Sequence, residues 1–436
     1  MRLKSDNSAA VCSFASKGAM GFMATIVLSC VMACEPMKGE TFHVVRPDSL
    51  SPATTAPRPD ILVPGIDFSA DSLSSAIIDA AIEDTSTDRN IIQRVIDYFS
   101  DSNNEPEKGE FDISFLGGPS YSSSTSVELA LIAAGVYRTG PRETTPLSEL
   151  DVFAEGSVTG FYNVGTRGHH SFPNDRIRVN YHASFCHFPS KFWGVGYEMG
   201  ADKNNETNYT LLQSLISGEF LWHLPHDIFL GPSVYFDYSK GTKAKNTEVW
   251  KGEPLEQLSY GLGFVFSIDT RDIATNASQG YNLRLHQRFF PTFLGNKRGF
   301  SITELTFGWY HRFWKSGIMA FQFHGCGATE HTPWSMLSAV DASSGIRGYY
   351  ERRYRDRGEI DAVVELRQHI WRRNGIVIWA GVGSVFHRLD QINFKRLLPS
   401  FGLGYRWEFK KDVNVRVDVG FGRNSMAFSI GLNEAF

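Results

Sequence analysis

From about residue 111 to its end, this chain alternates apolar and polar side chains with a period of two. In one segment Val413, Val415, Val417, Val419 and Phe421 oppose Asn414, Arg416, Asp418 and Gly420. In another, Leu258, Tyr260, Leu262, Phe264, Phe266 and Ile268 oppose Ser259, Gly261, Gly263 and Ser267. A strand puts successive side chains on opposite faces, so this period is that of half-buried β-structure. A soluble β-sandwich alternates as well. Two features favour a membrane barrel. The polar face repeatedly carries Arg, Glu and His, which suits a wet or ion-paired lumen. The segments also run to ten residues or more, and a tilted strand needs about 9–11 to cross a bilayer. A sheet edge in hydrocarbon leaves backbone groups unpaired at several kcal/mol each, so such a sheet must close.

The expected fold is therefore all-β: a transmembrane β-barrel of about sixteen antiparallel strands, preceded by a short helical N-terminal periplasmic segment. The alternation predicts strands at 125–138, 149–160, 161–172, 176–187, 192–201, 207–223, 227–240 and 256–268. The remaining eight are predicted at 280–291, 300–313, 316–328, 359–371, 375–387, 398–409, 412–422 and 425–436. Tight connections fall at Pro225-His226-Asp227, Lys315-Ser316, Arg373-Asn374-Gly375 and Lys410-Lys411-Asp412; long ones fall at 201–207, 240–256, 328–358 and 388–397. That alternation matches tight periplasmic turns and long outer loops, and an even strand count puts both barrel ends on the periplasmic side.

The domain organisation expected is a signal peptide over 1–33, a periplasmic linker with amphipathic helices over 34–110, and the barrel over 111–436. Arg2, Lys4 and Lys17 precede an apolar run from Ala19 to Ala33, as in an export signal. Val31-Met32-Ala33-Cys34 resembles a bacterial lipobox, which makes Cys34 a candidate for lipidation; ordinary cleavage near Ala33 is the alternative. Residues 35–64 are rich in Pro, Thr and Ser, a linker composition. Ile91, Ile92, Val95, Ile96 and Phe99 then recur at helical spacing behind Asp88, a candidate N-cap. After the first 34 residues no apolar run is long enough for a membrane helix. A net charge of −4 gives no support to nucleic-acid binding. No Cys/His cluster has metal-ligand spacing, so no metal or cofactor is expected. No GxSxG motif occurs. His286, Arg288 and Glu304 are expected to be ion-paired lumen filling, so no catalytic residue is assigned.

The segment Ser343–Gly358 gathers Arg347, Arg352, Arg353, Arg355 and Arg357 with Tyr349, Tyr350 and Tyr354. Its Ile346-Arg347-Gly348-Tyr349 resembles the (V/I)RG(F/Y) loop motif of the BamA-like superfamily of outer-membrane assembly and translocation barrels. Further points of resemblance are Glu365-Leu366-Arg367 and the turn Asp269-Thr270-Arg271-Asp272 before Gly280. The chain's end, where Phe428, Ile430, Leu432 and Phe436 alternate, resembles a C-terminal sorting strand. The resemblance covers about Phe111 to Phe436 and implies a sixteen-stranded barrel whose loop arginine turns into the lumen. There it meets Glu365, which alternation places on the inner face with Asp361, Val363, Arg367 and His369. The family's second acid, in F-x-D-x-G, is replaced by Gly381 within Trp379-Ala380-Gly381-Val382-Gly383, so either Asp361 substitutes or the loop is held less firmly. Ala277 stands where the turn motif has proline. Arg352, Arg353, Arg355 and Arg357 are expected to be loop charges facing outward.

Residues 35–110 show no strand pattern for a POTRA module, so the chain resembles the subgroup lacking them. The resemblance implies a bacterial outer-membrane protein, not an enzyme, that assists insertion, assembly or translocation of outer-membrane components. A structural or accessory subunit of an assembly complex, and a transport pore, are the alternatives. Expected partners are outer-membrane lipids and other assembly proteins. The first reading places a lateral seam between Thr125–Tyr137 and Ser425–Phe436, with Gly431 able to weaken pairing there.

Overall fold

The computed structural model describes residues 111–436, apart from 123–125, 142, 274–275, 343, 411–412 and 433. The signal peptide, Cys34 and the amphipathic helices expected over 1–110 lie outside the described residues. The chain forms one sixteen-stranded antiparallel sheet in which every strand pairs with its neighbour in sequence, save for one excursion. Its strands open with β1 (Phe111–Ser122), β2 (Ser126–Tyr137), β3 (Ser148–Ser157), β4 (Tyr162–Ser171) and β5 (Ile177–Phe192). There follow β6 (Thr207–Leu224), β7 (Ile228–Thr242), β8 (Glu256–Asp269), β9 (Gly280–Phe290), β10 (Phe300–Trp314) and β11 (Gly317–Ala328). After a long loop come β14 (Gly358–Trp371), β15 (Asn374–Phe386), β16 (Leu398–Lys410), β17 (Val413–Gly422) and β18 (Ser425–Leu432). The excursion is a separate two-stranded ladder, β12 (Ser338–Val340) with β13 (Tyr354–Asp356), inside the loop between β11 and β14.

The alternation sorts the two faces as expected of a barrel wall. Leu129, Leu131, Val152, Ile216, Val234, Leu262, Ile378 and Leu403 stand exposed on the outside. Glu304, Glu359, Asp361, Glu365, Arg367, Arg406 and Asp418 are buried on the inside. A water-soluble monomer rarely shows so continuous an apolar surface, whereas a lipid-facing wall requires one. Among the described residues no helix is long and apolar enough to cross a membrane, a statement that does not bear on strands.

Two elements differ from the sequence reading, and they offset each other in the count. The first strand is β1, within the alternating region that starts near residue 111 but ahead of the first predicted strand. Conversely, 192–201 is not a strand. β5 runs on to Phe192, and then Gly194 and Gly196 adopt φ of 99° and 103°, which bend the chain into the short helix α1 (Tyr197–Ala201). The seam therefore lies between β1 and β18, not at the strand that starts near Thr125. The two end strands approach each other, but among the described residues no ladder joins them.

The long loops meet at one end of the sheet. Phe192, Trp250 and Trp334, from three different connections or their edges, pack in one buried cluster, with Phe192 and Trp250 stacked 4.3 Å apart. The Trp334 indole N–H donates to the Pro254 carbonyl at 3.1 Å. Gly196 N donates to Arg355 O at 2.8 Å, and Arg353 Nε donates to Gly200 O at 2.8 Å, so α1 is fastened to β13.

Candidate functional site

The loop between β11 and β14 carries Ile346-Arg347-Gly348-Tyr349 into the interior, where Ile346 is fully buried and Arg347 is 4 % exposed. Ile346 packs with Val363, Val377 and Trp379. Gly348 takes φ of 108°, and a Cβ there would lie 2.7 Å from the Phe421 carbonyl carbon. The loop backbone thus rests directly against β17 at Gly420, whose own Cβ position is 2.8 Å from Gly348 N. Tyr349 fastens the other side. Its hydroxyl donates to Pro399 O at 2.7 Å and accepts from Arg423 N at 2.8 Å. Burial pushes the Tyr349 phenol up to about 12, so it stays a neutral donor.

Around Arg347 the wall supplies a closed ring of alternating charges. Arg347 donates to Glu365 on β14 and, at 2.8 Å, to Asp418 on β17. Glu365 also accepts from Arg367 at 3.0 Å. Arg367 stands 3.7 Å from Glu434, and Glu434 accepts from Arg406 on β16 at 2.8 Å. Arg406 completes the circle by donating to Asp418 at 2.6 Å. Three guanidinium groups and three carboxylates, all buried, therefore neutralise one another. The Arg347 guanidinium also lies over the Trp379 ring, 3.6 Å from its centroid. A buried charge is tolerable only when paired and hydrogen-bonded, and here each has at least two opposite partners, Asp418 also facing Arg416 at 3.8 Å.

Asp361 is not a partner of Arg347, contrary to the sequence reading. It is directed instead at His324 on β11, 3.5 Å away. The second acid is Asp418, three strands beyond Glu365 along the sheet. At Gly381, where the family carries its acid, an added Cβ would lie 2.9 Å from the Ala362 carbonyl oxygen and 3.0 Å from the Ile346 side chain. The apolar Ile346 occupies the space a longer side chain would need, and the arginine turns toward β17. Sequence reasoning also missed Arg406 and Glu434 as ring members. The signal for Arg406 was its place opposite Leu403, Tyr405 and Trp407, and that for Glu434 was its standing where the sorting strand usually carries an apolar residue.

Of the other loop arginines, Arg352, Arg353 and Arg355 are not outward charges, whereas Arg357 pairs at the surface with the exposed Glu330. Arg355 is 1 % exposed, with its guanidinium 4.9 Å from the Phe192 ring centroid and Nε donating to Arg352 O at 3.0 Å. Arg352 and Arg353 are half-buried and bond to loop carbonyls. Arg357 stands 3.5 Å from Glu330. These contacts hold the loop in its folded form, which a composition count cannot distinguish from a solvated basic tail.

The turn Asp269-Thr270-Arg271-Asp272 is tied both within itself and to its surroundings, with Thr270 N donating to Tyr281 O at 2.8 Å. Arg271 donates to both oxygens of Asp269, each at 3.1 Å. Asp272 accepts from Ser278 Oγ at 2.5 Å and from the amides of Ile273 and Ser278, both at 2.9 Å. Gly280 opens β9 immediately after. Burial acts to raise the Asp272 pKa, but the Ser278 hydroxyl and the backbone amides outweigh it, so the net direction is down. A depressed carboxylate pKa stabilises the fold above the unfolded value and loses that contribution as pH falls through the folded value. Asp272→Ala is accordingly expected to cost about 1–2 kcal/mol at neutral pH. The gap from the parent should shrink below roughly pH 4 in urea unfolding followed by tryptophan fluorescence. A gap independent of pH would refute this account of the turn.

At the C-terminus, Phe428 and Ile430 lie on β18, which ends at Leu432. Phe436 is not part of that strand. It packs near Tyr310, 6.4 Å between ring centroids, and its main-chain oxygen accepts from Arg367 at 2.8 Å. The alternation expected to run through Phe436 stops because Glu434 is drawn inward by Arg406, and Asn414 donates to it at 2.7 Å.

A second polar cluster lies on the inner wall at the long-loop end. His324 Nδ1 is 2.9 Å from Glu359, and its Nε2 is 3.7 Å from Glu304. Arg288 donates to Glu304 at 2.9 Å, and His286 is 3.0 Å from the Ser233 hydroxyl. His286, Arg288 and Glu304 are thus tied into the wall's own bonding. One nitrogen and two carboxylates, from His324, Glu359 and Asp361, lie within 4.8 Å of one another, a ligand set that no linear spacing revealed. Cys186 and Cys326 are buried and free.

Neither a family model nor a curated protein matches the chain. Among solved structures, it is similar to BamA from Haemophilus ducreyi lacking POTRA domains 1–3. That alignment has TM-score 0.53 and 10% identity, and covers 74% of this chain and 70% of that one. CdiB from Acinetobacter baumannii aligns with TM-score 0.48 and 10% identity, over 74% of this chain and 59% of that one. CdiB from Escherichia coli aligns with TM-score 0.47 and 12% identity, over 76% and 63%. At such identities the likeness is one of fold. With sixteen antiparallel strands in one sheet, the chain shares the β-barrel fold of that BamA structure.

Proposed function

We propose that this barrel sits in the bacterial outer membrane and assists the insertion, assembly or translocation of other outer-membrane components. The observation that carries this reading is the seam, where β1 and β18 adjoin without a ladder among the described residues. Unpaired strand edges are templates for an incoming strand. The sequence of β1 suits a weak edge, because Pro119 lacks an amide donor and Gly117 and Gly118 add no packing. No bond-making chemistry enters; the work is backbone pairing at a lipid-exposed edge. The partners in this reading are outer-membrane lipids and other assembly proteins. A pore of porin size fits less well, since the loop bearing Arg347 is docked inside the wall.

Depletion in the native host followed by outer-membrane proteomics tests the reading. A broad fall in barrel proteins is the expected result. An unchanged profile counts against it. If only one multiprotein complex is lost, and this chain co-purifies with it, the accessory role replaces the insertion role.

A further inference from the structure

We propose that His324, Glu359 and Asp361 form a binding site for one divalent transition-metal ion, which ties the long loop to the barrel wall. The cluster sits where β11 and β14 flank that loop, and the strand register sets His324 directly opposite Asp361. Glu359 is fully buried and Asp361 is 2 % exposed. Both Asp361 oxygens, Oε1 of Glu359 and Nδ1 of His324 have no well-aligned hydrogen bond, although His324 Nδ1 lies 2.9 Å from Glu359 and 3.5 Å from Asp361. Buried carboxylate oxygens held only by such imperfect contacts are costly, and a cation bound among them supplies better partners.

Charge counting points the same way. Glu304, Glu359 and Asp361 bring three carboxylates to this patch, and Arg288 answers only Glu304. Even a protonated His324 leaves the patch negative, so a dication balances it better than a proton does.

The donor set chooses the class of ion. An imidazole with two carboxylates suits Zn²⁺ and its neighbours rather than Ca²⁺ or Mg²⁺, which prefer oxygen alone. Ligands about 2.0–2.2 Å from Zn²⁺ stand roughly 3.4 Å apart, so the present spacing closes with small rotamer changes. Glu304 faces the far ring nitrogen, Nε2, at 3.7 Å. A carboxylate there favours the proton on Nε2 and leaves the Nδ1 lone pair for the metal, the usual outer support of a ligating histidine. Ser338 on β12 donates to Glu359 at 2.9 Å, which connects the loop's small ladder to the site.

The test uses untagged, folded full-length barrel in detergent, stripped with EDTA and dialysed against micromolar Zn²⁺. About one Zn²⁺ per chain is expected, with slower trypsin cleavage between residues 328 and 358. Asp361→Asn keeps the side-chain volume and His324→Gln removes the nitrogen ligand; each is expected to weaken binding at least ten-fold. Both variants are checked for the heat-modifiable folded band, so loss of metal is separated from loss of fold. Failure of the folded parent to bind Zn²⁺ overturns the proposal. So does binding that is unchanged in both variants, which places the ion elsewhere. The outcome does not depend on whether the barrel inserts clients.

Discussion

Arg347→Ala is expected to free the loop between β11 and β14 from the inner wall and to lower the temperature at which the folded band disappears on gels. Arg347 bonds to both Glu365 and Asp418, and all three are buried. Removing one partner of a buried ionic group costs about 3–5 kcal/mol, because the charges left behind have neither water nor a counter-ion. The neighbours soften the loss only partly. Arg367 still reaches Glu365 and Arg406 still reaches Asp418, but the ring is then one positive charge short. The stacking over Trp379 also disappears. Trypsin should now cut at Arg352 or Arg353, whose carbonyl contacts depend on the docked loop. Arg347→Lys should fall between parent and alanine, since an ammonium keeps the charge but cannot fork between two carboxylates. If the alanine variant resists heat and trypsin as the parent does, the ring contributes nothing to holding the loop.

Gly348→Val is expected to produce the same released loop by a different route. The residue sits at φ of 108°, a region that costs a β-branched side chain about 1–3 kcal/mol. The added Cβ also meets backbone of β17 at 2.7 Å, and backbone cannot step aside as a flexible side chain can. Every charge of the ring is intact in this variant, so it separates close approach from electrostatics. The measurement is trypsin susceptibility of the loop at high salt and low salt. Cleavage that rises in both, with the barrel's folded band retained, is expected. Cleavage equal to the parent's would show that Ile346 and Tyr349 anchor the loop without the contact at Gly420.

Comparing sequence with structure, the wall was the easily legible part. Alternation in segments such as Val413–Phe421 is a property of neighbouring residues, and the pleat converts it into two faces without reference to anything distant. The reading failed at two elements of the wall. β1 lies ahead of the first predicted strand, and Gly194 with Gly196 ended β5 where apolar residues continued. For the arginine loop, alternation placed Glu365 on the right face but could not say which strand the guanidinium would reach.

What the sequence by itself determined is the two-faced strand, its membrane-crossing length and an inner wall rich in ionisable groups. Those follow from spacing along one segment. Only the tertiary structure decided that Asp418, Arg406 and Glu434 close a ring with Arg347, and that Asp361 turns to His324 instead. The physical reason is that a buried charge must find its counter-ion across the lumen. Which one it finds depends on where the folded loop comes to rest, a distance set by the packing of Ile346 and Gly348 and by nothing in the residues adjacent to either charge.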